Sequence, residues 1–102
     1  MIEINGIYWY LKFVNPNDII LRTPNNLQTF GVCDNITKTI YLASNLKGAM
    51  LKHVLCHELV HAAMFSYGIL LDYEQEELVA NLIATYGEEI IIKTNEIFKR
   101  LS

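Results

Sequence analysis

Residues Leu51–Tyr67 read LKHVLCHELVHAAMFSY, and the reading of this stretch decides how the rest of the chain is understood. Successive helical residues advance by about 100°, so His57 and His61, four apart, stand one above the other on a single helix face. Two imidazoles one turn apart can reach the same cation, and zinc favours nitrogen donors in sites with three protein ligands and a place for water. Glu58, between them in sequence, projects to the side of that face. It can reach such a water without binding the ion, the placement a general base needs. The five-residue pattern His57-Glu58-Leu59-Val60-His61 is therefore read as a metal-holding helix. Val54, Leu55, Leu59, Val60, Ala62, Ala63 and Met64 surround nearly its whole circumference, so the helix belongs in the core. Two histidines and a carboxylate there need partners, because an unpaired buried polar group costs several kcal/mol.

Working outward, Gly68 is a natural helix stop after Tyr67, and Ser44 or Asn45 are candidate caps at its start. Upstream, Leu27–Cys33 and Lys38–Ala43 read as two strands around Asp34-Asn35-Ile36-Thr37, a sequence suited to a turn. At the N-terminus, Asn5-Gly6 between Met1–Ile4 and Ile7–Val14 signals a β-hairpin. Ile7, Trp9, Leu11 and Phe13 alternate to give one apolar face. Ile19–Arg22 reads as a further short strand. Downstream, Asp72 with Gln75 three residues on resembles a capping box opening a helix over Tyr73–Tyr86, and Glu88–Arg100 continues in helical character. The fold class is α+β: a small N-terminal antiparallel sheet packed on a helical hairpin that carries the histidines, with a C-terminal helical tail, residues 1–102 forming one domain.

The third ligand follows from counting along two antiparallel helices joined by a short loop. His61 lies about 9 Å back from Tyr67, and Glu77 about 7.5 Å into the second helix, at nearly the same level. By the same count Asn81 is level with His57, which makes it a partner to orient that ring. Ala80 and Ala84 allow the helices to approach closely. Leu78, Val79, Leu82, Ile83 and Tyr86 form an apolar face for the sheet or tail. Glu74 and Glu76 read as an acidic first turn favoured by the helix dipole. His53, one turn before His57, is expected to be a core or cleft histidine.

Composition narrows the function. With 52% hydrophobic residues the chain is folded, and its net charge of −3 with no Lys/Arg cluster argues against direct nucleic-acid binding. Cys33 and Cys56 are too few for a disulfide scaffold, which favours free thiols in a reducing cytoplasm. Cys56 projects about 100° from His57, so a thiol mechanism is a weak reading. No signal peptide or membrane-spanning run is apparent.

These residues resemble the gluzincin peptidases, in which the H-E-x-x-H helix is followed by a ligating Glu. More closely, Gly31-Val32-Cys33-Asp34, Lys38-Thr39-Ile40-Tyr41-Leu42, Leu51–Ala62 and Glu77-Leu78-Val79-Ala80-Asn81 look like the ImmA/IrrE-like or SprT-like minimal metallopeptidases, small members of which occur in phages and mobile elements. The resemblance implies Zn2+ held by His57, His61 and Glu77, with Glu58 as general base, hydrolysing peptide bonds in a protein or peptide substrate in the cytoplasm, or the host cytoplasm for a phage-encoded chain. Asn81 departs from the Asp of thermolysin-like members. The oxyanion-stabilising group has no obvious match, with Tyr67, Tyr73 and Tyr86 open as candidates. Thr39–Leu42 is the expected cleft edge, taking an extended peptide by strand addition. Two alternatives stand beside this reading: a non-catalytic zinc-binding interaction or regulatory module, and a nucleic-acid-associated protein.

Overall fold

A computed structural model describes residues 1–102. The hairpin forms as its turn dictates: β1 (Ile2–Ile4) and β2 (Ile7–Val14) pair antiparallel across Asn5 and Gly6, both at positive φ. The chain then makes a 3₁₀ turn at Ile19–Leu21 where a strand was expected. Asp18 explains the difference, since its carboxylate accepts the Ile20 N–H and caps the turn. Two further strands, β3 (Gly31–Asp34) and β4 (Thr39–Ala43), pair antiparallel with Val32 opposite Tyr41. The first of them is shorter than the apolar run suggests. Residues 27–30 lie outside it, tied back by an isolated bridge between Arg22 and Gln28.

The four strands lie in the order β1-β2-β4-β3. The sheet is mixed rather than antiparallel throughout, because β2 runs parallel to β4, with Leu11 opposite Ile40. Local alternation marks strands but carries no information about which distant strand becomes a neighbour. In consequence β4, the expected cleft edge, is an internal strand, and β3 is the outer one. The expected apolar face of β2 is only partly covered: Trp9 is fully buried, whereas Phe13 is 51% exposed.

Helix α1 (Gly48–Tyr67) lies between the sheet and α2 (Tyr73–Leu82). Neither Ser44 nor Asn45 caps it. Ser44 is still engaged with the sheet, donating its N–H to the Val14 carbonyl, and the helix starts at Gly48 without a side-chain cap. At the other end Gly68 takes a left-handed conformation, φ 67°, and its N–H reaches the Met64 and Phe65 carbonyls. The Asp72–Gln75 capping box opens α2. A π-helical turn at Ile83–Gly87 follows, and α3 (Glu88–Leu101) continues the same rod, which gives the molecule a 51 Å long axis. Lys52 of α1 holds Glu88 at 2.7 Å across the start of α3.

Trp9, Leu21, Ile40 and Leu42 are the large side chains wholly removed from solvent. The Trp9 Nε1–H donates to Ser66 Oγ at 2.8 Å, and Asn5 Nδ2 donates to the Ser66 carbonyl. These two bonds fasten the hairpin to the last turn of α1, the same helix that carries both histidines.

Candidate metal centre

The site forms where α1, α2 and the outer strand β3 meet. His57 and His61, one turn apart on α1, turn their Nε2 atoms toward each other at 3.2 Å. Glu77 reaches across from α2, with Oε1 2.8 Å from His61 Nε2 and Oε2 3.3 Å from His57 Nε2. One donor atom from each of the three lies within 4.8 Å of the others. Two ligands on a tetrahedral zinc ion stand about 3.3 Å apart when each bond is near 2 Å. The donor set and its spacing therefore fit a zinc-sized cation, and the level-by-level count that selected Glu77 agrees with where the structure puts it.

The count fails for its neighbours, and the reason is one rotation. Ala80 is fully buried against α1, which turns Asn81 out to solvent and brings Glu76 inward. Asn81 makes no hydrogen bond to His57. Glu76, read from sequence as dipole-favoured surface charge, instead accepts a hydrogen bond from His61 Nδ1 at 2.5 Å. Carboxylate oxygens thus meet both ring nitrogens of His61: Nδ1–H donates to Glu76, and a cation lying between Nε2 and Glu77 would take the Nε2 lone pair. Glu76 and Asn81 lie on either side of Glu77 around α2, about 140° apart, so the rotation of the helix against α1 decides which of them joins it, and residue spacing does not fix that rotation. The expected cover for the apolar side of α2 is also missing: Leu78 is 69% exposed and Leu82 and Tyr86 face solvent.

Glu58 stands beside the three donors rather than among them, in a cleft it shares with Val32, Cys33, His61 and Tyr73. Burial, with the nearby Glu77 charge adding to it, pushes its carboxyl up to about 7, against the opposing pull of His61. Its approach to β3 is so close that a Cβ on Gly31 would lie 3.0 Å from Glu58 Cγ and 2.9 Å from Val54 Cγ1. Only a glycine leaves this space. On the same strand, burial and then the Glu58 and Glu76 charges push the Cys33 thiol up to about 12, so it stays protonated and is a poor ligand or nucleophile.

Tyr73 borders the clefts on both sides of the donor group, whereas Tyr67 and Tyr86 border neither. His53 lines the cleft beside His57 without joining the donors. Cys56 opens into a groove between α1 and the π-helical turn, away from Glu58. Both cysteines are free.

Residues 15–100 match the model of the IrrE N-terminal-like domain, a family of metallopeptidases. The chain belongs to that family. The IrrE-like match begins at Asn15, just after β2, so the N-terminal hairpin lies outside it even though β2 completes the sheet beside β4. No curated protein and no solved structure matches the chain. Family membership points to a peptidase and therefore to a protein substrate, and it agrees with a group of side chains able to hold a metal.

Proposed function

We propose that this IrrE-like chain is a zinc-dependent peptidase in which His57, His61 and Glu77 hold the ion and Glu58 is the general base. The observation that carries the reading is the convergence of the three donors within 4.8 Å, with Glu58 alongside but outside the group. A bound zinc ion would polarise a peptide carbonyl and lower the pKa of water towards 7.

The protein's own groups have separate tasks. Glu76 fixes the His61 ring through Nδ1, leaving Nε2 free to act as a donor. Glu58, whose proton affinity is raised by burial, accepts a proton from the attacking water and returns it to the leaving amine. Of the three tyrosines, Tyr73 is our candidate to donate a hydrogen bond to the developing oxyanion, which its position bordering both clefts supports. Substrate binding belongs to β3, the outer strand next to the donors. Phe30 accepts from Ala43 N–H across the β3–β4 ladder, so the alternation of an antiparallel pair turns the backbone of Gly31 and Cys33 outward. An extended segment of a protein substrate can pair with those groups. The unpaired cysteines suit a reducing, cytoplasmic setting.

The test is cleavage of unfolded protein by zinc-loaded wild type and Glu58→Gln, read by mass spectrometry of new termini alongside the metal content of each. Cleavage by the wild type alone, with equal zinc in both, supports the reading. Equal zinc with no cleavage of any substrate offered to the wild type favours a metal-binding interaction module.

A further inference from the structure

The donor group opens on two sides, and the two clefts differ in chemistry. On the side of His61 the cleft runs past Val32, Cys33 and Phe65 and carries the Glu76 carboxylate in its wall. On the side of His57 the wall is Thr29, Phe30, Met50, His53 and Val54, and apart from Glu58 and Glu77, which border both clefts, it holds no carboxylate. This second cleft encloses about 400 Å³. Phe30 and Met50 are 45% and 47% exposed, so two large apolar side chains stand at the surface beside the metal donors. The Thr29 hydroxyl is already engaged, donating to the Leu21 carbonyl at 2.6 Å. An apolar wall with few polar groups is what a binding cleft offers to an apolar part of a ligand.

The proton path sets the direction of the substrate. Glu58, as the base, returns its proton to the leaving amine, which is the nitrogen of the residue C-terminal to the bond cut. Its Oε2 lies against Gly31, 3.1 Å from where a Cβ on that residue would stand. The leaving amine therefore belongs at the Gly31 end of β3, the end that opens into the Phe30 and Met50 cleft, whereas Val32 and Cys33 line the other one. We propose, on the peptidase reading, that the cleft lined by Phe30 and Met50 is the specificity site. It takes a large apolar side chain, that of phenylalanine, leucine, isoleucine or methionine, from the substrate residue immediately C-terminal to the bond cut, with the substrate running antiparallel to β3. Alternation along an extended chain then carries the next side chain away from the cleft, so one position dominates the preference.

Digestion of a proteome-derived peptide library by the zinc-loaded full chain, with the new termini read by mass spectrometry, tests this. The wild type is expected to cut before large apolar residues. Met50→Glu, a change at an exposed position, should move that preference toward lysine and arginine at equal zinc content. Phe30→Ala should weaken the preference, and Phe65→Ala, in the opposite cleft, should leave it as it is. Zinc-loaded Glu58→Gln gives a readout apart from cleavage: by calorimetry it should bind a peptide cut by the wild type at least about tenfold more tightly than the same peptide with alanine after the scissile bond. Met50→Glu added to Glu58→Gln should remove that difference. Cleavage without preference at this position, or a preference unmoved by Met50→Glu, overturns the specificity site and leaves the peptidase reading standing. A wild type that cuts nothing overturns both.

Discussion

Glu76 Oε1 accepts the Nδ1 proton of His61 at 2.5 Å, while the other nitrogen of that ring faces Glu77 at 2.8 Å. Adjacent residues of one helix thus act on opposite edges of one imidazole. Glu77 offers an oxygen on the Nε2 side, and Glu76 engages the opposite edge of the ring.

Loss of that orientation should appear in metal affinity. Glu76→Ala is expected to weaken zinc binding by about 10- to 100-fold, as for other partners that orient a metal-binding histidine. Glu76→Gln, whose amide oxygen still accepts from Nδ1, should recover most of it. Competition with a chromogenic chelator measures both. Equal affinity in wild type and Glu76→Ala would assign the ring's orientation to packing alone.

Gly31 admits Glu58 to the cleft wall. In Gly31→Ala the new methyl meets Val54 Cγ1 at 2.9 Å and Glu58 Oε2 at 3.1 Å, so one of them must shift. Overpacking of this kind costs about 1–3 kcal/mol. Urea unfolding reads that loss. Because the atoms nearest the new methyl belong to Val54 and Glu58 and not to His57, His61 or Glu77, zinc content should hold while any peptidase activity falls with the displacement of Glu58.

Burial of Glu58 also makes a prediction for the metal-free protein. Its folded-state proton affinity, raised from 4.5 to about 7, exceeds that of the unfolded chain. The folded state therefore holds the extra proton between those values, and stability falls as pH rises through that window. Glu58→Gln carries no such charge. Under chelator its stability relative to the wild type should grow from pH 4.5 to pH 7, by up to about 3 kcal/mol, and level off above. A difference independent of pH, measured by urea unfolding, would contradict the assignment.

The anchor between hairpin and helix is testable in the same way. Ser66→Ala leaves the buried Trp9 N–H without its acceptor and should cost about 1–3 kcal/mol. Ser66→Thr, which keeps a hydroxyl, should cost less if the pocket admits the methyl. Thermal denaturation compares them.

By itself the sequence determined what is local. The H-E-x-x-H helix, its stop at Gly68, the hairpin at Asn5-Gly6, the Asp72–Gln75 box and the level match of Glu77 with His61 all depend on spacing along one chain segment or across one short loop. Only the tertiary structure decided what depends on how elements rotate and which distant strands meet. It set β2 parallel to β4 and made β3 the outer strand, and it turned α2 so that Ala80 faces inward, exchanging Asn81 for Glu76 beside the histidines. The physical reason is that residue spacing fixes a side chain's angle relative to its own helix, whereas the angle of that helix against its neighbour is chosen by close packing of every side chain between them.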